Sequence, residues 1–329
     1  MKIIRKAIVI GLGNIAVRHR RNLKLLFPEI FIIALSSSGK IINQNIDYAD
    51  QIVLNLNDLV LEGVDIVIIA SPSSFHKLHA EIFLLDGIPT LIEKPVTSNS
   101  KDAYELIKIN EKNHTPTAVG YCLRYMPSAI KMKELLDQKK IGNIYNAFVD
   151  IGQYLPDWRP SINHQDSVSS KLILGGGALL ELSHEIDYLQ WLLGPLKINY
   201  SQLRSSSELN LEVEELVDLV LISEIGTVCY VHMDFLQKKA SRTCSFIGEK
   251  GRLDWDLINN RITLNSAEGS RVLFDDADWD PNQMYLSLLL DFFDLVAGRQ
   301  NSSTSIEEAT KTLELIEDIK NSAFQGIKQ

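Results

Sequence analysis

Six short apolar runs recur along the first 120 residues, at 7–10, 31–35, 51–53, 65–70, 90–92 and 117–119, with helical stretches over 15–26, 75–86 and 100–113. The runs are mostly continuous rather than alternating, which is the mark of strands buried on both faces. Strands separated by helices pair in parallel, because a parallel pair needs a crossover long enough to hold one. This rhythm predicts a doubly wound α/β sheet of the Rossmann type, whose ligands bind where the strand tips open onto a crevice.

From about residue 121 the rhythm changes. A helix over 128–138 precedes an extended strand near 144–153 and a polar stretch at 156–170. The triplet Gly175-Gly176-Gly177 then opens one long helix, 178–193, which stops at Gly194-Pro195. Segments at 198–204, 212–223, 227–236, 242–248, 252–256 and 261–264 read as antiparallel strands joined by turns such as Gly248-Glu249-Lys250-Gly251. Helices over 283–297 and 305–324 close the chain. The expected organisation is two domains. Residues 1–120 form the Rossmann half, and residues 121–329 an α+β half on a mostly antiparallel, open sheet.

Composition narrows the partners. A formal net charge of −9 speaks against nucleic acid or an anionic membrane, both of which need a basic surface. Cys122, Cys229 and Cys244 are widely spaced, with no CxxC pair, so neither a disulfide framework nor a zinc site is expected. No signal peptide or membrane-spanning run is apparent, and the expectation is a cytoplasmic protein.

The first strand runs into Gly11-Leu12-Gly13-Asn14-Ile15-Ala16. Gly11 permits a tight turn, Gly13 lets backbone approach a pyrophosphate, and Ala16 is small enough for helix to pack on strand. The helix start at Asn14 and Ile15 would offer free N–H groups and a positive dipole end to the phosphates. NAD and NADP are told apart at the end of the second strand, where an acid would accept from the ribose 2′-OH. Here stand Ser36, Ser37, Ser38, Gly39 and Lys40, with no carboxylate before Asp47. Hydroxyls and a lysine suit a 2′-phosphate, so the reading is NAD(P), leaning to NADP.

Another strand ends in Glu93-Lys94-Pro95. Proline fixes φ, gives up its N–H and biases Lys94 toward an extended backbone, which aims the lysine across the strand tips. A lysine in such a crevice is a candidate for proton transfer, and Glu93 could position it.

These motifs, taken in order, resemble the Gfo/Idh/MocA (glucose–fructose oxidoreductase/inositol dehydrogenase/rhizopine catabolism) family. They are Gly11-x-Gly13-x-x-Ala16-x-x-His19, Ala70-Ser71-Pro72-Ser73-Ser74-Phe75-His76, Glu93-Lys94-Pro95, Gly120-Tyr121-Cys122-Leu123-Arg124-Tyr125 and the run from Gly175 to Asp187. The resemblance continues through Gly248-x-x-Gly251 to the last helices. It implies a dehydrogenase that interconverts an alcohol and a ketone on a sugar, a cyclitol or a related compound. Lys94 is then the catalytic lysine, with Glu93 and Pro95 seating it and the cofactor. Ser71, Pro72 and His76 lie along the nicotinamide half.

On one long helix Glu181, His184 and Asp187 would share a face. His184 is the expected proton relay or hydrogen-bond donor to the reacting oxygen, and Asp187 the residue that orients it or a neighbouring helix. The family commonly places an acid four residues before this histidine. That position is Leu180 here, and the acid is Glu181. Tyr154, Trp158 and Arg159 form a loop suited to stacking on a sugar ring and pairing with a phosphate or carboxylate, to which Arg124 and Tyr125 could add. This loop is similar to that of family members acting in surface-polysaccharide sugar synthesis. No metal is implied. A homo-oligomer, dimer or tetramer, is expected, because an open antiparallel face is often covered by another subunit. Two alternatives remain open: a cofactor-binding regulator without catalysis, and a dehydrogenase or reductase of a non-sugar substrate.

Overall fold

A computed structural model describes residues 3–37, 39, 46–160 and 162–325. The backbone separates into two compact units, Met1–Tyr121 with Tyr285–Leu313, and Cys122–Met284 with Glu314–Gln329.

The first unit is built from β1 (Lys6–Ile10), α1 (Asn14–Leu26), β2 (Phe31–Leu35), β3 (Gln51–Val53), β4 (Ile66–Ile69), α2 (His76–Leu85), β5 (Thr90–Ile92), α3 (Ser100–Asn113) and β6 (Thr117–Val119). The strands pair in the order β3-β2-β1-β4-β5-β6, all in parallel. Ile8, Val9 and Ile10 of β1 and all of β4 are fully buried. Each such side chain contributes roughly 1.5–3 kcal/mol by leaving water. The register puts Leu35, Ile10, Ile69, Ile92 and Val119 side by side. One residue further on, Ser36, Gly11, Ala70, Glu93 and Gly120 therefore form a single row along the C-terminal edge of the sheet. The backbone seals that row, with Gly11 N–H donating to Leu35 O, Ala70 to Ile10, Glu93 to Ile69 and Gly120 to Ile92, at 2.7–2.9 Å.

The second unit begins with α4 (Pro127–Asp137), β7 (Ile144–Gly152) and the one-turn α5 (Leu155–Trp158). Two short helices follow, α6 (Ala178–Glu181) and α7 (His184–Leu193), then β8 (Leu196–Arg204), β9 (Leu216–Ser223), β10 (Val228–Asp234), β11 (Ser241–Gly248), β12 (Gly251–Asp256), β13 (Arg261–Ser266) and β14 (Gly269–Asp275). After α8 (Gln283–Val296) and α9 (Ile306–Ser322), the short β15 (Phe324–Gln325) joins β8. The nine strands run β14-β13-β12-β11-β7-β10-β9-β8-β15, antiparallel except for the β7–β10 and β8–β15 pairs. Burial alternates along β9, so Val217, Leu219 and Leu221 face the core while Asp218 and Val220 lie on the other face. In the core, Trp255 is 1% exposed, meets the Tyr188 ring edge-on at 5.3 Å and donates from Nε1 to Ser128 Oγ at 2.8 Å.

Three features differ from the expectation. The single helix over 178–193 is interrupted after Glu181: Glu185 N–H bonds to Leu182 O, three residues back, and α7 restarts at His184. The strand β14 was not foreseen, because most of its side chains are exposed on both faces and carry no hydrophobic period. The return of residues 285–313 to the first unit is also additional. Val119 N–H donates to Thr304 O at 2.8 Å there, and Phe293 packs edge-on against Phe27 at 5.4 Å. Among the described residues, no helix is long and apolar enough to cross a membrane.

Candidate active site

The glycine loop has the shape a dinucleotide needs. Gly11 has φ +112°, and a Cβ there would lie 2.3 Å from the Ala70 carbonyl oxygen, so no other residue fits. Gly13 caps α1 in an extended conformation, and a Cβ added to it would meet nothing within 4 Å. No side chain caps this helix and no acid occupies its first turn. Gly13 and Asn14 are exposed and Ile15 half-exposed, which leaves first-turn N–H groups for an anion. At the end of β2, Ser36 is buried with its N–H on Val53 O, and Ser37 is half-exposed. Ser38 lies outside the described residues.

Glu93 was expected to serve Lys94, and its carboxylate has a further partner. Oε1 is 2.7 Å from His19 Nε2, on the buried side of α1, while Oε2 accepts from the Lys94 backbone N–H at 3.2 Å. Gly120 makes room for this carboxylate, since a Cβ there would sit 3.1 Å from Glu93 Cδ. The tip of β5 is thus tied to the helix that starts at the glycine loop. Lys94 is half-buried, and its bond to Pro95 is cis.

His76, 1% exposed, joins the tips of β4 and β5. Its Nδ1 is 2.9 Å from Pro95 O and its Nε2 2.8 Å from Ser71 O. Burial pulls its pKa below the ordinary histidine value, against the upward pull of those carbonyls and of Glu93. A neutral ring donates to only one of the two oxygens. His79 shares a 2.9 Å hydrogen bond with Ser71 Oγ, and burial together with the neighbouring His76 lowers its pKa to about 4. Ser71, His76 and Lys94 are therefore gathered at adjacent strand tips. The contacts of His19 with Glu93, 74 positions apart, and of His79 with Ser71 lay beyond sequence reasoning.

In the second unit Glu181 ends α6 and His184 starts α7, so the two stand on either side of a break in the helix expected from sequence. Asp187 points elsewhere. It receives a bidentate pair from Arg124, Nε to Oδ2 at 2.9 Å and Nη2 to Oδ1 at 2.7 Å, both residues buried. Glu185, fully buried, accepts from Arg242 Nε at 2.8 Å. Tyr154, Trp158 and Arg159 gather on or beside α5. Tyr154 OH donates to Glu208 at 3.0 Å with Lys238 over its ring, and Trp158 packs edge-on against Phe235 at 5.3 Å. Arg159 is half-exposed and makes no ion pair with any described residue. A separate cavity of about 260 Å³ is lined by Met126, Gln153, Arg242, Asn260 and Trp279 among others, none of them a residue expected from sequence. Their positions in chain order carried no common signal. Among the described residues, no three His, Cys, Asp or Glu side chains are grouped to hold a metal ion.

Two family models match this chain. One, described as an oxidoreductase family with an NAD-binding Rossmann fold, covers residues 5–121; the other, the GFO/IDH/MocA C-terminal domain, covers residues 129–254. The chain belongs to the GFO/IDH/MocA oxidoreductase family. Inositol 2-dehydrogenase 1 of Saccharopolyspora erythraea, a curated relative of this GFO/IDH/MocA protein, is 24% identical over 81% of this chain and 79% of its own. Two other curated relatives match over only 38% and 43% of their own length. Among solved structures, levoglucosan dehydrogenase in complex with NADH and levoglucosan aligns with a TM-score of 0.82, at 16% identity over 97% of this chain and 96% of that one. The WlbA dehydrogenase of Bordetella pertussis, in complex with NADH and UDP-GlcNAcA, aligns at 0.79 with 19% identity over 98% of both. At these identities the likeness is one of fold.

Proposed function

We propose that this protein is an NAD(P)-dependent dehydrogenase that interconverts a secondary alcohol and a ketone on a sugar or sugar derivative. The observation that carries the reading is Lys94 at the tip of β5, in one row with the glycine loop and tied to it through Glu93 and His19. Gly11, Gly13, Asn14 and Ile15 hold the pyrophosphate, and Ser36, Ser37 and Ser38 the adenosine ribose. Ser71, Pro72 and His76 line the nicotinamide side. The bound nicotinamide supplies the hydride acceptor in oxidation and the hydride donor in reduction. Lys94 takes the hydroxyl proton as the alcohol is oxidised and returns it in the reverse direction. His184 serves as relay or partner, with Glu181 beside it in sequence.

Residues 1–120 supply the cofactor half, and residues 121–329 the substrate half and the surface for self-association as a dimer or tetramer. Tyr154, Trp158 and Arg159, which makes no ion pair with any described residue, suit a ring bearing an anionic group, such as a nucleotide-linked sugar of surface-polysaccharide synthesis in the cytoplasm. The UDP-GlcNAcA complex of WlbA supports that class. Arg124, bound to Asp187, enters as the anchor of α7, and so of His184.

The test is Lys94→Met assayed on a panel of sugars and UDP-sugars. We expect kcat to fall roughly 10²–10⁴-fold with dinucleotide affinity retained, the usual contribution of a positioned acid–base group. Undiminished turnover would remove Lys94 from the reaction.

A further inference from the structure

Arg20 presents a buried charge that no carboxylate among the described residues pairs with directly. It lies on α1 past the glycine loop and is fully buried. Nη1 donates to Gly11 O at 3.1 Å and Nε to Asp47 O at 2.9 Å, while Nη2 is buried with no hydrogen-bond partner among the described residues. It forms no ion pair with any described residue. The Asp47 carboxylate, on an exposed residue, acts on it only through space. Burial lowers its pKa to about 10, which leaves it charged at neutral pH. A buried cation without a counter-ion is unfavourable, and two carbonyl oxygens answer only part of the charge. An apolar residue at this position would avoid that cost.

The two backbone oxygens say where the missing anion belongs. Gly11 begins the phosphate-binding loop, and Asp47 closes the connection that starts at Ser36 and Ser37 after β2. Those elements bracket the adenosine ribose in a Rossmann sheet. No acid stands among Ser36, Ser37 and Gly39 to accept from a ribose 2′-OH. We propose that Arg20 is the cation that selects a 2′-phosphorylated dinucleotide, NADP(H) over NAD(H), an inference that rests on the dinucleotide reading above. The pyrophosphate is common to both cofactors, whereas the 2′-phosphate adds nearly two negative charges to one of them. Arg20 is fully buried, and in that low-dielectric setting it acts on the group through its field. A guanidinium that merely braces the glycine loop would favour both cofactors equally.

Calorimetry on the full-length protein separates the possibilities. The wild type is expected to bind NADPH at least about tenfold tighter than NADH, and 2′,5′-ADP at least about tenfold tighter than AMP, a difference of about 1.4 kcal/mol. Arg20→Met should erase the preference by weakening NADPH alone, and Arg20→Lys, which keeps the charge, should retain part of it. Equal loss of both cofactors in Arg20→Met, or no change in either, overturns the proposal. If that variant does not fold, the wild-type fragments decide: equal affinity for AMP and 2′,5′-ADP overturns it. A wild type that binds neither NADH nor NADPH instead refutes the dinucleotide reading itself.

Discussion

Histidines in the two sheets keep opposite company. Beside the parallel sheet, His76 and His79 are closed in among carbonyls and a hydroxyl, and burial drives their pKa values down, to about 4 for His79. On the open face of the nine-stranded sheet, His232 lies between Asp218 at 2.7 Å and Asp234 at 2.9 Å. Hydrogen bonds to those carboxylates raise its pKa to about 9. A sheet covered on both faces has no solvent to share, so its polar groups are neutral or tightly paired. A sheet with one wet face can hold charged groups in rows, as Asp150, Asp218 and His232 do here beside the stacked Phe148 and Tyr230 rings.

The largest expected effect strikes the buried side. Glu93→Ala strips the buried His19 Nε2 of its carboxylate partner and should cost about 3 kcal/mol, read as lost protection in hydrogen exchange over α1 and β5. Protection unchanged in those elements would mean that the pair contributes nothing to the first unit. A smaller effect is expected from acid. His79 titrates lower folded than unfolded, so the folded state binds fewer protons; its stabilisation is full above pH 6.5 and lost as pH falls toward 4. That loss should be on the order of 2 kcal/mol, and His79→Gln should flatten it. A wild-type acid profile that matches the variant's would break the contrast. The smallest effect is on the open face. His232 titrates higher folded than unfolded, so its contribution is full below pH 6.5 and lost as pH rises through about 9. The ring is 34% exposed and screened, so His232→Gln should cost less than about 1 kcal/mol at pH 7, and less again in high salt. A thermal-shift series against pH and salt reads this directly.

Much of the first unit was legible because two-sided burial writes itself as continuous apolar runs, and all six strands stand where those runs predicted. The second unit was less so. β9 and β10 announce themselves by alternation, but β14 has no buried face to print one. The break between α6 and α7 carries no mark in the sequence, because Leu182 and Ser183 are compatible with a helix. Tertiary demands at the ends accompany the change of hydrogen-bond step: Glu214 accepts the Leu179 N–H, and Arg124 and Arg242 donate to Asp187 and Glu185.

What the sequence determined by itself was local. The Gly11 turn, the strand tip at Lys94 and the two kinds of sheet follow from backbone freedom, proline geometry and hydrophobic period, which act between near neighbours. What only the tertiary structure decided was partnership: Glu93 with His19, Asp187 with Arg124, and Arg20 with two carbonyls. Those pairings join residues from 9 to 74 positions apart, and charge and hydrogen bonding depend on distance in space, which no local pattern encodes.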